Sequence, residues 1–234
     1  MNDQEKITVG ACWSGDYYPI EYVNILFRSV SRHTTIPFDS ILYTGPRAEE
    51  PGRLSGLDLS IKVVPVNLPS WWSKLPFFKP NPPGVRTKTI LYLDLDQVIV
   101  GSLDDLILFP SNLACMKDYP SRSCPKGKNL ENDGCASTML IRGDGGRRIW
   151  EEYQKEGAPV WDALRGGPFF QTDQGILNNK QFNIKKDLFP ENWVCSYKLE
   201  VRKNGLPSDC RIVAFHGYPK PHECSEPWVK ENWV

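Results

Sequence analysis

A chain of 234 residues with 28 basic and 28 acidic side chains has no formal net charge, which argues against a bulk electrostatic partner such as nucleic acid or a strongly anionic membrane. The apolar fraction of 40% is ordinary for a soluble globular protein, and no apolar stretch approaches the roughly 18–20 residues that span a bilayer, so no transmembrane segment is expected. Seven cysteines without a repeated spacing fit reduced thiols rather than a disulfide framework, and the charged opening has no signal-peptide character, so the expected location is cytoplasmic.

Residues 7–13 read as a first strand ending in small residues. A helix follows, with Ile20, Val23, Leu26, Phe27 and Val30 at helical spacing, running out near His33. Residues 38–43 and 61–66 read as a second and a third strand. Strand, helix, strand in so short a span opens a parallel βαβ sheet, in which ligands bind beyond the carboxyl ends of the strands. Residues 68–84 form a connection rich in proline and aromatics, with a short helix around Lys74. Lys74, Arg86 and Lys88 are candidate contacts to phosphate, against the usual fate of such side chains as solvated surface.

Residues 90–93 are a strand buried on both faces, since the apolar run does not alternate. It stops at Asp94-Leu95-Asp96, and a second apolar run covers residues 97–100. A turn and short helix come next, then strands at 113–116 and 135–141, separated by a polar stretch, 118–133, that reads as a mobile loop. A helix is expected over 146–156, and another opens near Thr172 or Asp173, either of which could cap it. Two short strands, 193–197 and 211–215, precede His216-Gly217-Tyr218-Pro219-Lys220. The chain has no internal repeat and no low-complexity linker, so residues 1–234 read as one α/β domain.

The chemistry points to the aspartate pair. On an extended chain, side chains two apart point the same way, and two carboxylates held together repel unless a cation lies between them. Asp-x-Asp also occurs as a turn or cap, but here the pair ends a mid-chain apolar strand. Carboxylates are hard ligands suited to Mg²⁺ or Mn²⁺, and a histidine in the shell shifts the preference toward Mn²⁺. His216, at the end of an apolar strand and followed by Gly217, is the candidate third ligand. A zinc site from Cys210, His216, His222 and Cys224 matches no common spacing, and the chain has no Cys-x-x-Cys.

Residues 92–106, Tyr-Leu-Asp-Leu-Asp-Gln-Val-Ile-Val-Gly-Ser-Leu-Asp-Asp-Leu, resemble the Asp-x-Asp segment of GT-A-fold glycosyltransferases, nearest the glycogenin-like group, family eight, with its small bacterial and viral relatives. Four more segments resemble that group in order: residues 11–18, 72–75 (Trp-Ser-Lys-Leu), 172–178 (Thr-Asp-Gln-Gly-Ile-Leu-Asn) and 215–221 (Phe-His-Gly-Tyr-Pro-Lys-Pro). The resemblance spans nearly the whole chain. It implies a single GT-A, Rossmann-like domain with a mostly parallel mixed sheet flanked by helices. It also implies a metal-dependent, hexosyltransferase-like enzyme that moves a sugar from a UDP-sugar to a glycan, lipid or protein acceptor, with retention.

The implied roles follow the matched positions. Asp94, Asp96 and His216 would hold Mn²⁺ or Mg²⁺, with Leu95 beside the nucleotide. Ala11, Cys12, Trp13 and Tyr18 would line the base and ribose. Lys74 and Lys220 would face the donor phosphates, and Gly217 would let the chain approach them. Asp173 and Gln174 would face the transferred sugar. Where the group carries an Asn-Ala/Ser-Gly element, this chain has Gly134-Cys135-Ala136-Ser137, with Asn132 upstream, so Ala136 and Ser137 stand in that place.

Two rivals share these features. Asp94-Leu95-Asp96 also resembles the motif of haloacid-dehalogenase phosphatases, in which the first Asp is a nucleophile. That motif normally opens a chain and has Gly where this one has Gln97. The other rival is a nucleotide-sugar binding module without catalysis, which gives no physical reason to retain repelling carboxylates.

Overall fold

A computed structural model describes residues 5–15, 17–68, 70–119, 133–156 and 173–234, with the side chains of Glu49, Ser70, Trp71, Glu156 and Asp173 outside that description. Asp16, Asn132, Thr172 and nearly all of the loop expected between 118 and 133 also lie outside it.

The chain opens with β1 (Ile7–Trp13), helix α1 (Glu21–His33), β2 (Phe38–Thr44), β3 (Lys62–Pro65) and β4 (Thr89–Leu93). The helix buries Tyr22, Val23, Leu26, Phe27 and Val30, the face given by their spacing, with Glu21 in its first turn and Arg32 and His33 in its last, complementing the helix dipole. Next come β5 (Gln97–Ile99), α2 (Asp104–Ile107), β6 (Leu113–Lys117), β7 (Gly134–Arg142), α3 (Arg147–Glu156), α4 (Asp173–Asn178), β8 (Asp187–Leu188), β9 (Val194–Ser196) and β10 (Ile212–Ala214).

Seven strands form one sheet in the order β3-β2-β1-β4-β7-β6-β8. Only β7 runs against the other six, because it pairs antiparallel with both β4 and β6. This is the mostly parallel α/β sheet that the opening βαβ pattern predicts. Within β4, Leu91 and Leu93 join the apolar cluster around α1, whereas Ile90 and Tyr92 join the cluster around Trp72, Leu75 and Phe77. The strand is thus buried on both faces, as its unbroken apolar run implies. Among the described residues no helix is long and apolar enough to cross a membrane.

The second apolar run does not continue the first. After Leu93 the chain turns at Leu95 and Asp96, and β5 enters a separate three-stranded sheet of order β5-β10-β9. There β10 pairs antiparallel with β5, Val213 opposite Val98 and Ala214 opposite Gln97. The Phe215 amide extends this register by donating to the Asp96 carbonyl at 2.9 Å. The tail is therefore delivered directly beside the aspartate pair. Periodicity could not show this, because a run of three or four apolar residues looks the same in either sheet. The two-residue strand β8 and a C-terminal helix, Pro227–Asn232, are too short to leave a periodic signal.

The helix expected around Lys74 is a 3₁₀ run, Ser70–Phe78, which holds Phe77 against the sheet. Phe77 stacks on Tyr43 with centroids 3.9 Å apart and meets Tyr92 at 5.7 Å. Gly10 makes room for this ring, since a Cβ there would lie 2.5 Å from Phe77 Cζ. Gly10→Ala is expected to destabilise the protein by about 1–3 kcal/mol through overpacking, and Phe77→Leu in the same chain should recover part of that loss. Urea unfolding of the two single variants and the double variant measures the coupling.

Candidate active site

Beyond the carboxyl ends of β1 and β4 lies a cleft of about 800 Å³, lined by Cys12, Tyr17, Tyr18, Tyr22, Lys74, Tyr92, Asp94, Leu95, Asp96, Gly217, Tyr218, Lys220, His222 and Glu223, among others. Its walls come from the turn after β1, the start of α1, the 3₁₀ run and the tail. Such a position is where open parallel sheets bind ligands. A second cleft of about 770 Å³ lies around Asn112, Arg142 and Lys185. There the Arg142 guanidinium is spent on the carbonyls of Ile107, Phe109 and Ser111, so it is bound into the fold.

Each carboxylate of the aspartate pair has its own ammonium. Lys220 Nζ lies 2.7 Å from Asp96 Oδ2, with the lysine and aspartate side chains only 17% and 14% exposed. The Tyr18 hydroxyl donates to the same oxygen at 2.9 Å and accepts from Lys220 Nζ at 2.8 Å. Lys74 Nζ lies 3.5 Å from Asp94 Oδ1, to which the Tyr92 hydroxyl donates at 2.6 Å. Lys74 also donates to the Ala136 carbonyl at 3.2 Å and sits over the Tyr92 ring. The repulsion expected between the two carboxylates is thus offset by two lysines, and the four charges sum to zero. The expected extended geometry is replaced by the turn at Leu95 and Asp96, yet both carboxylates face one cleft because the turn wraps around it.

The remaining predicted residues divide into two groups. Cys12, Tyr18, Lys74, Leu95, Gly217 and Lys220 line the cleft with the aspartates. Ala11 and Trp13 are buried in the core behind it, and the indole of Trp13 donates to the Tyr18 carbonyl at 2.7 Å, fixing the turn that carries Tyr18. Ala136 and Ser137 are buried in β7 and act through their backbone: the Ser137 carbonyl accepts from the Asp94 amide at 2.8 Å and from Gln97 Nε2 at 2.8 Å. Gln174 lies on α4, which Asn178 ties to the start of β7 with a pair of 2.9 Å bonds to the Gly134 backbone. Arg86 and Lys88 do not line the cleft.

His216 follows β10 directly. Its Nε2 lies 2.8 Å from Ser196 Oγ, and its ring stacks on Tyr119 with centroids 3.7 Å apart. Neither partner is readable from sequence, since Ser196 sits in an ordinary strand and Tyr119 in a polar stretch. Tyr22 also lines the cleft, as does His222, which the sequence offers only for a zinc site. They are hydrogen-bonded to each other across 200 residues, closing the cleft between α1 and the tail. Gly217 sits at φ 73°, in the left-handed region that favours glycine, where the chain turns from His216 toward Lys220.

Among the described residues no three His, Cys, Asp or Glu side chains form a ready cage, for zinc or any other ion. Asp94 and Asp96 nevertheless supply hard oxygens at one cleft, and among the described residues Oδ1 of Asp96 accepts no hydrogen bond. Two carboxylates with an open shell suit a cation that keeps water and substrate phosphate as its other ligands, as Mg²⁺ does.

No known protein-family model matches the sequence, and no curated protein is similar to it at the sequence level. Solved structures are similar in fold. The galactosyltransferase LgtC, in complex with donor and acceptor sugar analogues, superposes with a TM-score of 0.62 at 16% identity, over 96% of this chain and 93% of that one. The glycosyltransferase GlyE of Streptococcus pneumoniae TIGR4 gives 0.57 at 15% identity over 98% of this chain, and the bifunctional glycosyltransferase WbbM gives 0.61 at 13% over 98%. The chain spans 60% of the GlyE chain and 51% of the WbbM chain. The chain has the GT-A-type fold of these glycosyltransferases.

Burial pushes the Tyr22 phenol up to about 12, helped by the charges of Asp96 and Glu223. Burial, and then Asp96, raise Tyr18 as well. Both phenols are therefore neutral donors at physiological pH. A phenol raised in the folded state contributes stability that is fully present below its unfolded value, near 10, and is lost as pH rises through the folded value. Melting temperature is expected to fall steeply between pH 10 and about 12, in step with tyrosinate absorbance. Tyr22→Phe should flatten part of that fall.

Proposed function

We propose that this protein is a glycosyltransferase that uses Mn²⁺ or Mg²⁺ at Asp94 and Asp96 to move a sugar from a nucleotide-sugar, a UDP-sugar, to a glycan, lipid or protein hydroxyl, with retention. The observation that carries the reading is the neutral quartet of Asp94, Asp96, Lys74 and Lys220 in an aromatic-walled cleft at the strand ends. A diphosphate ester brings about two negative charges and a divalent cation two positive ones, so a metal–donor pair enters this quartet without leaving net charge behind. The metal, when bound, would neutralise charge on the departing nucleoside diphosphate.

The chain's own groups do the rest. Lys74 and Lys220 hold ammoniums where phosphate oxygens would lie, and Gly217 lets the tail backbone come close to them. Tyr18 and Tyr22, held neutral, offer hydroxyl donors and ring faces to the ribose and base, with Cys12 beside them and Ala11 and Trp13 fixing that wall from behind. Ala136 and Ser137 hold the lysine and the aspartate turn in place. In this reading Asp173 and Gln174 face the transferred sugar, and His216, held on Ser196 and Tyr119 in the structure, would have to leave Ser196 to become the metal's third protein ligand. The six described cysteines carry free thiols, in keeping with a reducing, cytoplasmic setting.

The test is release of free UDP from a panel of UDP-sugars with Mn²⁺. Wild type is expected to turn over at least one donor, and Asp96→Asn to lower that rate by about a hundredfold or more, measured below its melting temperature, which loss of the Lys220 pair should lower. Equal rates in the two proteins remove the metal assignment. Donor binding without release from any sugar favours the non-catalytic binding module.

A further inference from the structure

Resting on that reading of the site, we infer that Lys220 is a built-in competitor for the metal at Asp96, and that the donor diphosphate is what draws it away. The Lys220 ammonium has a complete set of acceptors in the structure: Asp96 Oδ2 at 2.7 Å, the Tyr18 hydroxyl at 2.8 Å and the Phe215 carbonyl at 3.3 Å. Tyr18 closes the triangle by donating to the same Asp96 oxygen at 2.9 Å. A divalent cation on that carboxylate would meet a like charge within a few ångströms, and the pair is shielded from screening by solvent. Metal binding and this ion pair therefore oppose each other.

The two lysines of the quartet are not equivalent. Lys74 has a side chain 8% exposed, is anchored on the Ala136 carbonyl and lies over the Tyr92 ring, so it is a fixed charge. Lys220 stands on the tail between Gly217, at φ 73°, and Glu223, whose carboxylate accepts from the Lys220 amide at 2.7 Å. The tail is also tied through the Phe215 amide to Asp96 and through His222 to Tyr22. With the backbone tied at both ends, the four-carbon stem can swing the ammonium from carboxylate to phosphate inside the cleft. Metal alone adds two uncompensated positive charges to a neutral quartet, and diphosphate alone adds two negative ones. Only the pair restores neutrality, so each should raise the affinity for the other.

The experiment is Mn²⁺ binding to the full chain, followed by the electron paramagnetic resonance signal of free Mn²⁺, with and without UDP. Wild type is expected to bind Mn²⁺ weakly alone and more tightly with UDP. Lys220→Met should tighten Mn²⁺ binding without UDP on the order of tenfold and shrink the enhancement by UDP. A residue that merely holds the fold would not raise metal affinity. Lys220→Gln, which removes the ammonium charge and keeps a hydrogen-bond donor for Tyr18 and Asp96, should shift Mn²⁺ binding the same way, and it keeps the test open if Lys220→Met folds poorly. If UDP enhances Mn²⁺ binding to wild type but neither variant binds Mn²⁺ more tightly alone, the competition is overturned while the site reading stands. If no protein binds Mn²⁺ with or without UDP, both are overturned.

Discussion

Everything at this site depends on one turn. Between Leu93 and Gln97 the chain leaves a seven-stranded sheet and enters a three-stranded one, and the step between them is Asp94-Leu95-Asp96. The turn is braced from both sides: the Ser137 carbonyl of β7 holds the Asp94 amide, and the Phe215 amide at the end of β10 holds the Asp96 carbonyl. Backbone bonds from two sheets thus fix carboxylates that would otherwise repel, and each carboxylate then takes a lysine from a different part of the chain. Position is set by the sheets and charge by the lysines.

Much of this could be read before any coordinates. The unbroken apolar run before Asp94 reads as a strand covered on both faces, and the neighbouring βαβ pattern places its carboxyl end beside that of β1. Tyr18, Lys74 and Lys220 belong to the matched segments and meet at the cleft. What escaped is instructive. Ala11 and Trp13 sit in the right segment but point into the core, because alternate residues of a strand face opposite ways and only Cys12 between them faces the cleft. The partners of His216, the closure of Tyr22 on His222 and the change of sheet after Asp96 are contacts between distant residues of common type. No local pattern encodes them.

The same comparison separates fold from chemistry. The likeness to LgtC, GlyE and WbbM is one of backbone fold at 13% to 16% identity, a range in which side chains at a site can be wholly exchanged. The functional argument therefore leans on the quartet, the neutral phenols and the cleft itself. Those features would favour the same ligand chemistry whatever the fold around them.

The pairing of β10 with β5 also has a kinetic meaning. Asp96 and Lys220 are separated by 124 residues, and Tyr22 and His222 by 200. Closing such long loops is entropically slow, and β5 has no partner of its own until β10 arrives. During synthesis the large sheet can form while β5 still shows a bare edge, so the cleft cannot be complete until the tail has paired. Closure of the cleft would then report on the last contacts of folding, since Tyr22 and His222 meet only once the tail is in place.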